Sequence, residues 1–316
     1  MYNFKNSSLT IIMYHYVRKV KNSLYPKLKA FEISNFKKQI KFLKVNYNIL
    51  KLDQILQILK DKKIPKKPSV LLTFDDGYSD HYEVSEFLSK HHLEGFFYVV
   101  GSAVKREKIM DVNKIQFIME KEQNSYKLIK MVLEKYKKIK GQEINLRSIE
   151  KNAVKEHKYN LFDNFENFFL KGLLRIWIEK ETRQKILNGL FKEIIDEDEK
   201  SFANKLYLNK KQMIEMKKNN MNFGVHGYEH FPLGYLKEDE QKKQFEKSIN
   251  FLKFLNQDIK ETSVCYPNGS YNHNTLKLMK KYQFAFGLTI NNGCIQKKNI
   301  KNNFELPRID VTKISF

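Results

Sequence analysis

Short apolar runs alternate along the chain with segments in which apolar residues recur every three or four positions. Buried strands read as continuous apolar runs, and amphipathic helices show the longer spacing. The runs predict strands at Leu9–Tyr14, 70–72, 95–100, 221–225, 262–266 and 284–290. The spaced segments predict helices at 34–46, 52–59, 84–88, 210–218, 245–255 and 276–282, with Ser34 as the cap of the first. A strand, a helix and a strand within about 30 residues are typical of a parallel sheet.

Between residues 104 and about 215 the alternation gives way to helical spacing alone. Apolar residues at 129–139, 165–176 and 186–195 fall on one face of each predicted helix, and many of them are aromatic. We expect these faces to pack against one another or against the rest of the protein. The alternative is an amphipathic lid that lies over a lipid-linked ligand.

Two adjacent carboxylates, Asp75 and Asp76, follow the apolar run at 70–72 and precede Gly77, which permits a sharp turn. The carboxyl ends of strands in α/β proteins usually carry the chemistry. Neighbouring side chains on an extended backbone point apart, so one carboxylate can hold a metal while the other handles a proton. An isolated Asp-Asp-Gly turn is better explained as solvated surface, but His226-Gly-Tyr-Glu-His230 downstream supplies the partners of such a site.

The net charge of +22 first suggests nucleic acid or an anionic surface. Only six of the 58 basic residues are arginine, and the lysines are spread along the whole chain. Because arginine is the usual base-reading residue, we do not expect a specific nucleic-acid partner. A phosphorylated substrate or an anionic lipid surface stays open, so peripheral membrane contact is one alternative.

The sequence also favours a cytoplasmic location. The hydrophobic content of 41% fits a globular protein, and Cys265 and Cys294, the two cysteines, have no metal-ligand spacing. So few cysteines are typical of a reducing compartment. Residues 1–10 lack a signal-peptide layout, and no stretch approaches the ~20 apolar residues that a transmembrane helix needs.

The motifs at residues 73–77 (TFDDG) and at His226 and His230 (H-x-x-x-H) resemble those of the polysaccharide deacetylases of carbohydrate esterase family 4. Met13-Tyr-His-Tyr-Val17 is similar to the M-Y-H-x-V segment of a subgroup whose motifs occur in permuted order. The resemblance implies an α/β fold, a distorted (β/α) barrel, as a single domain over 1–316. Since the first two family motifs usually lie closer together, we predict a helical insertion at about 104–215.

The resemblance also implies the residues of a metal site. Asp76, His226 and His230 would hold a divalent metal ion, for which zinc is our expectation; N and O ligands with open positions suit hydrolysis. Two histidines four apart are otherwise common on a helix surface, but Gly224 and Gly227 disfavour a helix here.

Three further residues take catalytic roles by the same resemblance. Asp75 matches the family's base, Arg308 resembles the arginine that keeps the base ionised, and His15 is the predicted general acid. A lone histidine after a strand is more often structural, and His273 is the nearest competitor for the acid. His81, His91 and His92 are expected to face away from the site.

The predicted substrate-binding segment is Tyr266, Pro267, Asn268 and Gly269, whose family counterpart donates a backbone N–H to the oxyanion. Asn268 stands where tyrosine is common, Gly227 replaces the usual serine or threonine, and Cys265 lies near a common arginine position.

The resemblance implies a metal-dependent hydrolase that removes the N-acetyl group from a sugar or glycan, in surface polysaccharide biosynthesis. The substrate is free, polymeric, nucleotide-linked or lipid-linked. Two alternatives stay open: a hydrolase of another small amide, and a catalytically inactive carbohydrate-binding protein of the same fold.

Overall fold

A computed structural model describes residues 9–106, 108–158 and 163–314 of the protein. The strands in these residues are all short. They are β1 Leu9–Tyr14, β2 Val17–Arg18, β3 Phe31–Glu32, β4 Asn48–Ile49, β5 Ser69–Phe74, β6 Phe96–Val99, β7 Asn222–Val225, β8 Val264–Cys265, β9 Gly287–Asn292 and β10 Leu306–Asp310.

Seven of these strands close into a parallel barrel. In order around the ring they are β1, β10, β9, β8, β7, β6 and β5, and β5 returns to pair with β1 over its full length. The short strand β4 pairs with the first residues of β5, while β6 pairs with the last ones. Strands β2 and β3 form a separate two-stranded sheet. The predicted α/β fold, a distorted (β/α) barrel, is confirmed.

The helices outnumber the strands. They are α1 Ile33–Asn46, α2 Leu52–Asp61, α3 His81–Lys90, α4 Gly101–Val104, α5 Asp111–Lys121, α6 Ser125–Lys140, α7 Leu146–His157, α8 Phe165–Gly172, α9 Lys180–Ile195, α10 Glu199–Leu206, α11 Lys210–Lys218, α12 Glu238–Leu252, α13 His273–Lys281 and α14 Lys297–Lys301. Within the described residues, no helix is long and apolar enough to cross a membrane.

The buried strands of the barrel are the apolar runs of the sequence. All six residues of β1 and all six of β5 are buried, because parallel strands are covered on both faces. Some details differ from the sequence-based expectations. Helix α1 begins at Ile33 with Glu32 before it, so Ser34 lies inside the helix and is not its cap. Strand β10 was not predicted, since Pro307 and Arg308 interrupt its apolar pattern.

The chain divides into two compact units, here called the barrel unit and the helical unit. The barrel unit comprises residues 1–19, 29–107 and 203–316, and the helical unit comprises 20–28 and 108–202. The helical unit is built around aromatic contacts: Phe117 packs against Tyr25 at 4.7 Å and Phe202 at 4.9 Å between ring centroids. The predicted insertion boundaries of about 104 and 215, and the single-domain assignment, stay predictions.

Candidate active site

A sharp turn after β5 directs the two carboxylates to different partners. The backbone is left-handed at both Asp76 (φ 77°) and Gly77 (φ 69°). Asp tolerates this region better than most residues, and Gly adopts it without steric cost. A Cβ atom at Gly77 would also lie 3.0 Å from the Val99 Cγ1 atom, so both the φ angle and the available space favour glycine.

The turn brings Asp76 to the two histidines that follow β7. The Asp76 Oδ1 atom lies 3.4 Å from Nε2 of His226 and 3.4 Å from Nε2 of His230. One ligand atom from each of the three residues lies within 4.8 Å of the others. The sequence-predicted metal residues therefore come together at one end of the barrel strands, in the arrangement that a two-histidine, one-carboxylate metal site needs.

Other contacts leave the ligand atoms directed at each other. His226 uses Nδ1 to contact the Cys265 carbonyl oxygen at 2.8 Å, which orients its ring. Tyr78 donates its hydroxyl to Asp76 Oδ2 at 2.6 Å, whereas Oδ1 is buried and has no hydrogen-bond partner among the described residues. A buried oxygen without a donor is costly, so this donor set fits a divalent cation. Burial alone would raise the pKa of Asp76, but His226 and His230 bring that pKa well below its usual range.

Asp75 is bound by Arg308 from β10. The guanidinium donates two parallel hydrogen bonds, Nη1 to Oδ1 at 2.9 Å and Nη2 to Oδ2 at 2.8 Å. Arg308 is itself held by Nε, which donates to the Thr289 carbonyl at 3.0 Å. Both members of the pair are 1% exposed. Burial alone would raise the pKa of Asp75, but the charge and hydrogen bonds of Arg308, together with His226 and His15, lower this pKa to about 2.

His15 lies beside Asp75 because β1 and β5 run in register. Tyr14 pairs with Phe74, so the next residue of each strand emerges at the same level, and the Asp75 N–H donates to the Tyr14 carbonyl at 2.9 Å. His15 Nε2 lies 3.9 Å from Asp75 Oδ2, and the His15 side chain is 43% exposed. The imidazole thus has one edge near the base candidate and another open to solvent, as a proton donor to a bound substrate requires.

The family is decided by a comparison with family models. The polysaccharide deacetylase model matches residues 53–150 and 177–287, which is more than half of the chain. The chain belongs to the polysaccharide deacetylase family. The predicted family resemblance is therefore confirmed.

Individual members of the family are similar to this chain at low sequence identity. The chain is 29% identical over 102 residues to YxkH of Bacillus subtilis (strain 168); the aligned part is 32% of this chain and only 34% of that protein. The fold is similar to the deacetylase PplD of Streptococcus pyogenes in complex with acetate (TM-score 0.59, 19% identity, 96% of this chain and 92% of that one). It is also similar to IcaB from Ammonifex degensii (TM-score 0.56, 15% identity, 98% and 93%).

The third predicted segment of this family member lies next to the histidine loop. Residues Pro267–Gly269 form a tight turn after β8, with Asn268 in the left-handed region at φ 54°. A Cβ atom on Gly227 would lie 3.1 Å from Pro267 Cγ, so the turn and the loop are in close contact. The Tyr266 hydroxyl donates to the Phe304 carbonyl at 2.8 Å, and this side chain is therefore part of the barrel wall. A substrate-binding role for Tyr266, Pro267, Asn268 and Gly269 stays a prediction.

The expectation that His81 faces away from the site is wrong. His81 is fully buried at the start of α3, and its Nε2 atom contacts the His15 carbonyl oxygen at 2.8 Å. The sequence placed it on a helix but could not show that this helix begins beneath His15. His273, the competing acid candidate, is exposed at the start of α13.

Sequence reasoning also missed Gln244, a buried residue of α12 that holds the histidine loop. Its Oε1 atom accepts hydrogen bonds from the backbone N–H groups of Tyr228 (3.1 Å) and Glu229 (3.0 Å). Its Nε2 donates to Glu229 Oε2 at 2.8 Å, so Glu229 is engaged within the loop. Gly227 stands where the family usually has a serine or threonine, so the loop has no side-chain hydroxyl at this position. The hydrogen bonds of Gln244 order the loop in another way. The sequence carried no signal for this, because a glutamine on a helix is usually solvated.

Proposed function

We propose that this member of the polysaccharide deacetylase family is a metal-dependent hydrolase that removes the N-acetyl group from an N-acetylated sugar or glycan. The observation that carries the proposal is the division of labour at the Asp-Asp turn. Asp76 has its Oδ1 atom buried between two histidines, and Asp75 is fixed by the buried Arg308. Two carboxylates with such different surroundings are suited to different roles.

Asp76, His226 and His230 would hold the metal. Imidazole and carboxylate together suit zinc and several other divalent ions, and zinc is our proposal. A bound metal ion supplies Lewis-acid polarisation of the amide carbonyl and a lowered pKa of water. Tyr78 and the Cys265 carbonyl hold two of the three ligands in position.

Asp75 and His15 would move the protons of the reaction. Arg308 keeps Asp75 ionised near neutral pH, so Asp75 Oδ2 is able to accept the proton of the attacking water. His15, 3.9 Å from that oxygen, would donate a proton to the departing nitrogen. The C–N bond breaks and a C–O bond forms, and the products are acetate and a free amine. The Pro267–Gly269 turn would contribute a backbone N–H to the oxyanion.

Acetate release tests the proposal directly. Purified protein loaded with zinc is incubated with N-acetylated oligosaccharides, and mass spectrometry follows the loss of an acetyl group. We expect deacetylation that stops when the metal is chelated and returns when it is added back. Asp75→Asn is the matched inactive control, because it keeps the metal ligands. Absence of acetate release from a panel of N-acetylated sugars and small amides, with stoichiometric metal bound, would leave the inactive carbohydrate-binding protein as the better reading.

The biological setting belongs to the proposal as well. We infer a role in making a surface polysaccharide, with a substrate that is free, polymeric, nucleotide-linked or lipid-linked. A cytoplasmic location and peripheral membrane contact stay predictions from the sequence.

A further inference from the structure

A cavity of about 450 Å³ on the barrel unit is surrounded by lysines and aromatic rings. The lysines are Lys105, Lys210, Lys247 and Lys253, and the rings are Tyr228, Phe251 and Phe254. Its size is that of a small-molecule site. Its lining, all from described residues, contains no acidic side chain.

Two other cavities on the same unit have linings of mixed charge. A cavity of about 590 Å³ is lined by Asp53 and Asp61 as well as Lys63. One of about 160 Å³ is lined by both Lys51 and Glu94. The lysines of the chain are dispersed, so mixed linings of this kind are expected by default. The uniform charge of the 450 Å³ cavity is therefore a local property.

Three of the ammonium groups lie over aromatic rings. Lys105 Nζ and Lys247 Nζ lie 5.5 and 5.3 Å from the centroid of the Tyr228 ring, and Lys210 Nζ lies 5.1 Å from that of Phe254. These are cation–π distances. In the described part of the chain, no carboxylate forms an ion pair with Lys210, Lys247 or Lys253. A ligand with two negative charges would find several fixed donors here.

Helix α12 connects this cavity to the histidine loop. Tyr228 lies between His226 and His230, and its ring is one wall of the cavity. Gln244 on α12 holds the Tyr228 backbone, and Lys247 and Phe251 follow at helical spacing on the same helix. A ligand in the cavity would therefore contact the loop that carries two of the metal-binding candidates.

We propose that this cavity binds the phosphate group of a phosphorylated saccharide. Lysine binds phosphate as a point charge, and several lysines suit a phosphate dianion better than a ligand that carries a single carboxylate. The concave shape favours a small ligand over a flat membrane. The inference rests on the proposed deacetylase function and deepens it, since it assigns a phosphate-bearing sugar to the substrate class.

Calorimetric titration of the zinc-loaded protein tests the site. The ligands are N-acetylglucosamine 6-phosphate, N-acetylglucosamine and inorganic phosphate. We expect the sugar phosphate to bind at least ~10-fold more tightly than N-acetylglucosamine, which is the size of one charge-assisted hydrogen bond, and more tightly than inorganic phosphate, which lacks the contacts of the sugar. Inorganic phosphate that binds as tightly as the sugar phosphate would overturn the saccharide assignment.

The matched variants separate this cavity from the overall charge. The test variant combines Lys210→Gln, Lys247→Gln and Lys253→Gln; all three lysines are exposed, so we expect a normal melting temperature. We expect this variant to lose the ~10-fold preference for the sugar phosphate over N-acetylglucosamine.

The control variant combines Lys41→Gln, Lys60→Gln and Lys281→Gln, exposed lysines of the same unit away from the cavity, and should keep the preference. An equal loss in the control would overturn the proposal. So would a test variant that loses binding to phosphatidylglycerol vesicles but not to the sugar phosphate.

Failure of this inference is distinguishable from failure of the proposed function. Binding needs no turnover, so a protein that releases no acetate and yet binds the sugar phosphate through these lysines supports the cavity and contradicts the deacetylase. Deacetylation of an uncharged oligosaccharide without sugar-phosphate binding supports the proposed deacetylase function and contradicts phosphate binding in the cavity.

Discussion

The barrel unit and the helical unit place their charged side chains differently. In the barrel unit, Asp75 and Arg308 are 1% exposed and form a bidentate ion pair in the interior. In the helical unit, Lys135 of α6 pairs with Glu193 of α9 at 2.6 Å, but these side chains are 27% and 53% exposed. Desolvating a charge is expensive, whereas a surface pair costs little and contributes little. The buried charges of the barrel unit therefore need another reason, and we propose that chemistry at the site is that reason.

One lysine of the helical unit refines the comparison. Lys114 is 3% exposed, and its Nζ atom lies 2.7 Å from Asn188 Oδ1 and 2.7 Å from Glu199 Oε1. The Glu199 side chain is 36% exposed, so the negative partner still reaches water. A buried charge is thus not by itself a sign of function. The barrel unit differs because both members of its pair are buried and a second carboxylate is their neighbour.

The largest expected effect comes from the second carboxylate. Asp76→Asn removes a proposed metal ligand and should abolish both metal retention and turnover. Asp75→Asn should keep the metal and lower turnover by roughly 10²–10⁴, the usual effect of removing a general base. Elemental analysis and acetate release measure the two properties separately. If both substitutions strip the metal equally, the division of labour between Asp75 and Asp76 is wrong.

His15 tests whether an exposed residue of the barrel unit takes part in the chemistry. We expect His15→Ala to lower amide turnover by roughly 10²–10⁴ with unchanged metal content, because the leaving amine needs a proton. The fall should be much smaller for an activated acetate ester, whose leaving group needs none. His273→Ala is the matched control; if it shows this pattern in place of His15→Ala, the acid has been misassigned.

The strands of the barrel were predictable because burial on both faces requires a continuous apolar run in the sequence. Leu9–Tyr14 was predicted with its observed bounds, and the run at 70–72 lies within β5. Strand β10 has no such run: its pattern includes Pro307 and Arg308, and the arginine is buried only because Asp75 neutralises it. A buried ion pair between residues 233 positions apart is a tertiary fact that local patterns do not contain.

The site was predictable from the motif residues but not from the residues that hold them. Asp75, Asp76, His226 and His230 carry recognisable spacing, and the structure brings them together. Their supports come from elements whose residues look ordinary, such as Gln244 on α12 and His81 at the start of α3. Only the packing of helices on the barrel turns these side chains toward the loops.

Removing the arginine of the barrel pair should cost more stability than any surface charge. Arg308→Met leaves the Asp75 carboxylate buried without its counter-ion, and we expect the free energy of unfolding to fall by about 3–5 kcal/mol. Urea denaturation followed by circular dichroism measures it. The double variant Asp75→Asn with Arg308→Met removes both charges of the pair and should be more stable than Arg308→Met alone. A double variant that is no more stable would mean that packing, not charge, sets the cost.

Tyr78 offers a smaller and more specific change. Tyr78→Phe removes the hydroxyl that donates to Asp76 Oδ2 at 2.6 Å and keeps the ring, which stacks on Tyr16 at 3.8 Å between centroids. Because contacts of this kind orient a metal ligand, metal affinity should fall about 10–100-fold. Competition with a chelating dye measures it. Saturating zinc should restore most of the turnover; if it does not, Tyr78 has a role beyond positioning Asp76.

The smallest effect belongs to the helical unit. Lys135→Met breaks the exposed pair with Glu193, and we expect the free energy of unfolding to change by less than about 1 kcal/mol, the range of surface pairs. Trp177, the one tryptophan of the sequence, lies in this unit, and its fluorescence follows the unit's unfolding directly. Turnover on a small N-acetylated sugar should stay unchanged, because we predict that the insertion contributes no catalytic side chain. A loss of stability as large as that of Arg308→Met would remove the contrast between the units. A lower kcat/KM on a long glycan, with a small sugar unaffected, would instead show that the helical unit selects the substrate.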